Sequence, residues 1–327
     1  MSIAEEVLNS KSQIKSYFFS NIDVIMKEKH GTQWEIYRKI WQETNDISRE
    51  VNDYPLYILT ELNSFCNLRC KMCKHAEDSS KIERKSMPLE MFESIIKQCS
   101  ELGVPSINIG TGTECTLHPN IDRIISDVKK TGAIDKFFLT NGSTLNDKLI
   151  NQIFEGEFER VEISVDAATI QTYQKIRING NYQKLEENID RLIEEKKRRN
   201  VKLPIIRLSF CVQDDNVEEI DMFYEKWANR VDVIEYQKMV TTSADIQNKY
   251  SCHRCSNPFN RLTIDYNGNI YPCCSILYQS EYCLGNIYNI SLYDAWHGEK
   301  IEKIRQSFRT GKLLEHCNKC LLSIYGE

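Results

Sequence analysis

Six short apolar segments alternate with amphipathic helical patterns through the middle of the chain, and this alternation restricts the fold more than any other feature. The apolar segments favour strands, and the stretches between them repeat apolar residues every three to four positions. The predicted strands are 56–62, 106–110, 136–140, 160–165, 205–212 and 231–237. The clearest predicted helices are 89–102, 121–130, 184–199 and 218–230. Six such repeats predict an α/β fold with a parallel sheet and right-handed crossovers, either open or curved into a partial barrel.

Composition is that of an ordinary globular protein. The 327 residues are 41% hydrophobic and 27% charged, and the formal net charge is −5. This charge argues against a nucleic-acid partner, which usually needs a concentrated basic face. No apolar run approaches the roughly 20 residues of a membrane span, and the acidic N-terminus lacks the apolar core of a signal peptide. We therefore expect a cytoplasmic protein without membrane or nucleic-acid partners.

The N-terminal residues predict a helical extension in front of the strand-rich region. Ile14, Tyr17 and Phe18 recur at roughly helical spacing, and residues 34–41 repeat this pattern. The extension would pack as a cap on the main domain, and the alternative is a segment that binds a substrate or partner. Changes in composition predict three regions along the chain, at 1–54, 55–249 and 250–327.

Three of the 13 cysteines lie close together, directly after the first predicted strand. Cys66, Cys70 and Cys73 have the spacing C-x3-C-x2-C, and clustered thiols in a reducing compartment favour metal ligation over disulfides. Three thiolates are one short of the four that hold an ordinary [4Fe–4S] cluster, so one iron would be open to another ligand. The alternatives are a zinc site completed by His75, or thiols that share no ligand.

This C-x3-C-x2-C run after a first strand resembles the signature of radical S-adenosylmethionine (radical SAM) enzymes. The resemblance covers roughly residues 55–325 and implies a partial (β/α)6 TIM-like barrel. It also implies that Cys66, Cys70 and Cys73 are the catalytic residues, because they would hold a [4Fe–4S] cluster whose open iron binds SAM. An electron from that cluster would cleave SAM to methionine and a 5′-deoxyadenosyl radical.

The segment after the second strand resembles the family's GGEP-type motif, whose backbone receives the amino group of SAM. Gly112, Thr113, Glu114 and Cys115 occupy its positions, and threonine and cysteine depart from the usual residues. A simple turn is the alternative for this segment.

Further contacts with SAM are implied at or near the other strand ends. These residues are Met72, where the family commonly has an aromatic residue beside adenine, Asn141, Ser164, Asp166 and Arg177, whose planar fork suits a carboxylate. Each has an ordinary structural alternative: a turn for Asn141, a helix cap for Ser164 and Asp166, and a solvated charge for Arg177.

The C-terminal region is rich in cysteine and contains a hairpin signal at 265–272 and a predicted helix at 291–308. It resembles the SPASM or Twitch extension of radical SAM enzymes, with the step from Gly268 to Cys273 and the late pair at 317–320. The resemblance implies one auxiliary [4Fe–4S] cluster with four ligands, Cys255, Cys273, Cys317 and Cys320. The alternative is structural zinc on Cys252, Cys255, Cys317 and Cys320.

Together these features predict a radical SAM oxidoreductase that acts on a small molecule such as a sugar or aminocyclitol. A fully ligated auxiliary cluster would accept the second electron, and a donor such as flavodoxin or ferredoxin would supply the first. The alternatives are a peptide-modifying enzyme, an epimerase in which Cys115, Cys211, Cys274 or Cys283 returns a hydrogen atom, an enzyme that catalyses a rearrangement or forms a bond, and a zinc-stabilised binding protein without catalysis.

Overall fold

The computed structural model describes residues 2–10, 12–73, 75–76, 83–239 and 255–325. Cys252, the zinc ligand considered above, lies outside these residues. Within the described ranges every helix is too short or too polar to pass through a lipid bilayer.

Within these residues ten strands form one mixed sheet, and two further strands form a separate two-stranded ladder. The order in the large sheet is β1-β9-β8-β6-β5-β4-β2-β10-β11-β12, and all neighbours from β9 to β10 are parallel. The strands are β1 Ile14–Phe18, β2 Tyr57–Thr60, β3 Arg69–Cys70, β4 Ser106–Ile109, β5 Asp135–Thr140, β6 Arg160–Ser164, β7 Arg177–Ile178, β8 Ile205–Val212, β9 Val233–Lys238, β10 Arg261–Ile264, β11 Asn269–Tyr271 and β12 Gly285–Asn286. The six predicted strands are all present, and the α/β partial-barrel class is confirmed.

Helices cover the outer face of the parallel strands. Ile58, Ile107, Phe138, Val161 and Leu208 point from the sheet into this layer and are fully buried. The helices are α1 Ile3–Leu8, α2 Ile22–His30, α3 Thr32–Glu43, α4 Leu89–Leu102, α5 Ile121–Lys129, α6 Asp147–Glu155, α7 Ile170–Ile176, α8 Tyr182–Arg198, α9 Ile220–Trp227, α10 Asn257–Asn260, α11 Leu292–His297, α12 Glu299–Thr310 and α13 Glu315–Tyr325. Short 3-10 turns occupy Cys115–Leu117, Val217–Glu219, Cys274–Ile276 and Ser280–Tyr282.

The N-terminal extension contains helices α1, α2 and α3, but residues 14–18 form a strand, and there the helical prediction is wrong. Strand β1 pairs antiparallel with β9, and its Tyr17 ring packs edge-on against Tyr224 and Tyr236. The spacing of Ile14, Tyr17 and Phe18 fits a helix equally well, but pairing with a strand more than 200 residues away decides the conformation. Strand β1 thereby adds one antiparallel strand to the β9 edge of the sheet.

Helices α2 and α3 pack against the amino-terminal ends of the parallel strands. Met26, Trp34 and Tyr37 form a small core with Leu56 and Ile134, which immediately precede β2 and β5. This places the helical part of the extension at the opposite end of the barrel from the cysteine motif that follows β2.

The C-terminal region joins the same sheet. Strand β10 pairs parallel with β2, and the predicted hairpin is present as β10 and β11. The helix predicted at 291–308 is divided into α11 and α12 at Gly298. The region boundaries after residues 54 and 249 stay predictions.

Candidate active site

The three cysteines of the C-x3-C-x2-C motif surround one cavity of about 140 Å³ at the carboxyl end of β2. Cys66, Cys70 and Cys73 line it together with His75 and Gly112. Burial raises the pKa of the Cys66 thiol, and burial raises that of Cys70 to about 11. Thiolates at these positions therefore require a positive partner such as a metal centre.

Two hydrogen-bond donors are directed at the sulfur of Cys66. The backbone N–H of Leu68 donates to Cys66 Sγ at 3.4 Å, and the Asn141 amide nitrogen lies 3.7 Å from the same atom. Donors of this kind stabilise thiolate ligands of iron–sulfur clusters. Within the described residues, the thiols do not converge as ligands of a single metal ion would. A four-iron cube takes one thiolate at each iron, so the donor set suits a cluster.

Arg177 is brought to Cys70 by the small ladder, in which the two residues are partners. Its guanidinium Nε donates to Asp166 Oδ2 at 2.8 Å, and NH1 lies 3.7 Å from Cys70 Sγ. Burial alone would lower the pKa of Arg177, but the Asp166 carboxylate, together with Cys70 and Tyr173, more than offsets this effect, so the pKa is raised. Arg177 is thus a buried partner of Asp166, and the solvated-charge alternative is wrong.

Asp166 has a second structural task. Its Oδ1 accepts the backbone N–H of Cys211 at 2.7 Å, and its own backbone has the left-handed φ of 65°. Its carboxylate therefore joins the ends of β6 and β8 to the cysteine loop through Arg177.

Glu114 supports the ends of the strands through its side chain. The carboxylate accepts hydrogen bonds from the hydroxyls of Thr116 and Thr140 at 2.6 and 2.7 Å and from the Asn141 N–H at 2.7 Å. The hydroxyl of Thr113 donates to the Asn63 carbonyl at 2.6 Å. The side chains of Glu114 and Thr113 already make hydrogen bonds within the protein. The predicted contacts of these two residues with SAM would therefore come from their backbone atoms.

The other predicted residues are spread around the cavity. Asn141 holds the cysteine loop by donating to the Asn67 side-chain oxygen at 2.8 Å. Ser164 lies at the end of β6, 3.5 Å from the Ser209 hydroxyl, and Met72 is half-buried in the cysteine loop. Their roles toward SAM stay predictions.

Gly112 has a backbone conformation that other residues rarely adopt, and a side chain there would meet Glu61. Its φ is +82°, and a Cβ atom there would lie 2.3 Å from Glu61 Oε1. We expect Gly112→Ala to reduce the free energy of unfolding by about 2 kcal/mol or more, from backbone strain and this clash together. Urea denaturation measures the loss.

A matched control is Gly103→Ala, because Gly103 also has a positive φ, +68°, but no atom lies within 4 Å of its Cβ position. The loss of stability in Gly103→Ala measures the cost of the backbone strain alone, which we expect to be about 1–2 kcal/mol. Equal losses in the two variants would contradict the close approach of Gly112 to Glu61.

Glu61 is a site residue that sequence analysis did not identify. It directly follows β2, is fully buried, and its Oε1 lies 3.2 Å from His75 Nε2 and accepts the Tyr278 hydroxyl. Burial raises the pKa of its carboxyl group. An acid at the end of an apolar strand was a signal that could have located Glu61, whereas nothing local marks Tyr278, which arrives from the C-terminal region.

The structure brings the four predicted auxiliary ligands together. Burial raises the pKa of Cys273, and the thiols of Cys274, Cys255 and Cys317 lie close enough to raise it further. Burial raises the pKa of Cys317 to about 12, and Cys255 and Cys320 act in the same direction. Cys320 Sγ also receives a hydrogen bond from the Ser275 hydroxyl at 3.6 Å. The four thiols suit one cluster ligated entirely by cysteine, and this ligand set stays a prediction.

The remaining cysteines differ in their surroundings. Cys115 is buried and its thiol donates to the Leu139 carbonyl at 3.2 Å, while Cys283 donates to the Gly285 carbonyl at 3.3 Å. Cys211 is half-buried beside Asp166, close to the cysteine loop, and Cys274 is exposed.

Comparison with known proteins agrees with this geometry. The family model for the radical SAM superfamily matches residues 60–226, and that for the SPASM iron–sulfur cluster-binding domain matches residues 246–321. A protein of Methanococcus maripaludis named probable GTP 3′,8-cyclase is 24% identical over 271 residues, which cover 69% of this chain and 85% of the relative.

Two solved structures share the fold. BtrN in complex with AdoMet and 2-DOIA has a TM-score of 0.52 and 19% identity, covering 78% of this chain and 87% of BtrN. Streptococcus suis SuiB bound to precursor peptide SuiA has a TM-score of 0.59 and 15% identity, covering 91% of this chain and 75% of SuiB. The family findings confirm SAM and iron–sulfur clusters as cofactors and argue against a binding protein stabilised only by zinc. The chain therefore belongs to the radical SAM superfamily, with a SPASM iron–sulfur cluster-binding domain in its C-terminal region.

Proposed function

We propose that this radical SAM enzyme oxidises a small polar molecule, such as a sugar or aminocyclitol, by two electrons. The observation that carries the proposal is the grouping of Cys255, Cys273, Cys317 and Cys320. Four cysteine ligands would leave no iron of the auxiliary cluster for substrate, which favours a role in accepting an electron. When bound, the two clusters and SAM supply the radical and redox chemistry, and the chain supplies binding and orientation.

The inner face of the barrel supports a polar substrate. Arg207 on β8 lies between two acids, with NH1 2.8 Å from Glu235 Oε2 and 3.5 Å from Glu162 Oε2. Burial raises the pKa of Glu162 to about 7, while Arg207 opposes this rise. Hydroxyl and amino groups of a substrate would find donors and acceptors along this face.

Groups that contact the cysteine loop would stabilise the thiolate ligands of the SAM cluster. Leu68 N–H and Asn141 would stabilise the Cys66 thiolate, and the Arg177 guanidinium would do so for Cys70. Contacts of Met72 and the other predicted residues with SAM belong to the same proposal.

The substrate class is tested by anaerobic incubation with SAM and dithionite. Candidate compounds are 2-DOIA and GTP, taken from the names of the similar proteins, together with fractionated cell extract. Substrate-dependent release of 5′-deoxyadenosine with a small-molecule fraction supports the proposal. Activity confined to peptide fractions would favour the peptide-modifying alternative, for which the SuiB likeness gives only a shared fold.

The outcome of the reaction is tested in D2O. Oxidation of an alcohol should give a product two mass units lighter than the substrate, without carbon-bound deuterium, because a hydrogen atom and a proton both leave. Mass spectrometry and proton NMR of the product measure this. A product of unchanged connectivity with one solvent deuterium at an inverted carbon would instead indicate an epimerase. Cys211→Ala would then test the donor.

We further propose a cytoplasmic enzyme that receives its first electron from a flavodoxin or ferredoxin. The division into 1–54, 55–249 and 250–327 is part of the same proposal. An anaerobic reduction assay with purified flavodoxin in place of dithionite tests the donor.

A further inference from the structure

A second cavity lies near the amino-terminal ends of the parallel strands, away from the cysteine motif. Its volume is about 590 Å³, and it is lined by residues of β1, the start of α2, α3, β6 and β8. The charged side chains of its wall are three arginines and one acid, Arg38, Arg160, Arg207 and Asp23. Residues 18–38 supply most of this wall, and they lie outside both segments that the family models match.

Arg38 has its hydrogen-bond donors available. Its guanidinium lies over the ring of Trp34, 5.6 Å from the centroid, and the guanidinium of Arg160 lies 5.9 Å from the same centroid. Arg38 makes no hydrogen bond or ion pair with any other residue that the structure describes. An aromatic ring holds a guanidinium without using its N–H groups, so Arg38 can direct its donors to a ligand.

The other two arginines are only partly engaged. Arg160 NH2 donates to Asp135 Oδ2 at 2.8 Å, and its Nε lies 2.8 Å from Asp135 Oδ1. Arg207 uses NH1 for Glu235 and Glu162, while its buried Nε has no hydrogen-bond partner within the described part of the chain. These acids balance the charges of Arg160 and Arg207, and both arginines still have donors to spare.

Acceptors are scarce in the wall of this cavity. Asp23 is the one acid among the described residues that line it, and its Oδ1 accepts the Trp34 indole N–H at 3.1 Å. The first turn of α2 also lines the cavity, and the first N–H groups of a helix have no acceptor within that helix. A polar cavity with a surplus of donors suits a ligand group rich in acceptors. Planar guanidinium groups match oxyanions in particular.

We propose that this cavity binds the oxyanion group of a small organic molecule, a phosphate or a carboxylate, with Arg38 as the main contact and Arg207 as a second donor. Phe18 lines the same cavity and is 61% exposed, so its ring would cover the organic part of the ligand. This site goes beyond the function proposed above and depends neither on SAM nor on the substrate that is oxidised.

The test is thermal unfolding of the holoenzyme in increasing concentrations of sodium phosphate or sodium acetate, with ionic strength held constant by sodium chloride. An anion that binds the folded protein raises Tm with a saturable dependence on its concentration, which gives an apparent Kd. Arg38→Gln should weaken the affinity about 10- to 100-fold, as expected for loss of a charge-assisted hydrogen bond. Lys39→Gln is the matched control, because Lys39 is exposed and does not line the cavity, and it should leave the affinity unchanged.

Asp23→Asn should have the opposite effect. Asparagine keeps an acceptor for the Trp34 indole but removes the negative charge from the cavity wall, so the anion should bind about 2- to 5-fold more tightly. A saturable response to phosphate supports a phosphate ligand, and one to acetate supports a carboxylate. A wild type without a saturable response to either anion, or an Arg38→Gln variant with unchanged affinity, would overturn the proposal.

Discussion

Replacing Cys66, Cys70 and Cys73 together with alanine should abolish the cleavage of SAM. These thiols line one cavity, Cys66 and Cys70 have hydrogen-bond donors directed at their sulfurs, and all three are the predicted ligands of the cluster that reduces SAM. Without them no iron is held beside SAM, so 5′-deoxyadenosine should fall to the background of a protein-free reaction. Chromatography of anaerobic reactions with SAM and dithionite measures this.

Iron analysis accompanies the experiment. The wild type should contain about eight irons per chain and the triple variant about four, because each cubane contains four irons. The matched variant Cys317→Ala/Cys320→Ala should lose the other four and still cleave SAM. A triple cysteine variant that continues to form 5′-deoxyadenosine would contradict the assignment of the SAM cluster.

Arg177→Ala should be the most destabilising substitution near the site. It leaves Asp166 buried and without its cationic partner, and loss of one partner of a buried ion pair costs about 3–5 kcal/mol. Asp166→Asn should cost a similar amount, because it leaves Arg177 buried without its anionic partner. Asparagine tolerates the left-handed backbone at position 166. Urea denaturation of the apo proteins measures both changes.

The double variant Arg177→Ala/Asp166→Asn tests whether the pair acts as a unit. We expect its loss of stability to be smaller than the sum of the single losses, because neither charge is left alone. SAM titration of the same variants loaded with their clusters separates this role from the predicted contact with the SAM carboxylate, because loss of that contact would weaken SAM binding about 10- to 100-fold. A stability loss below about 1 kcal/mol for Arg177→Ala would contradict the buried pair.

The sequence was sufficient to predict elements whose pattern is local. Strands β2, β4 and β5 are short, mostly buried segments with apolar residues at their centres, and the structure places them within two residues of the prediction. The cysteine spacing located the site for the same reason, since all three ligands lie in one short loop.

Features that depend on distant pairing escaped prediction. Residues 14–18 form a strand only because β9 offers an edge, and Arg177 is buried only because the loop after α7 pairs with β3. The Glu61–Tyr278 contact joins residues 217 positions apart. Helical spacing, charge and composition contain no information about such distant partners. Residues 14–18 were therefore predicted to be helical, and Arg177 was open to the alternative of a solvated charge.

The parallel pairing of β10 with β2 has a consequence for exchanging parts between relatives. Residues Arg261–Ile264 cover the edge of the strand that leads directly into the cysteine loop. Deleting the C-terminal region would expose that edge and invite intermolecular strand addition. A functional chimera would therefore have to transfer β10 in register with β2, because the auxiliary module and the radical-generating barrel share one continuous backbone scaffold.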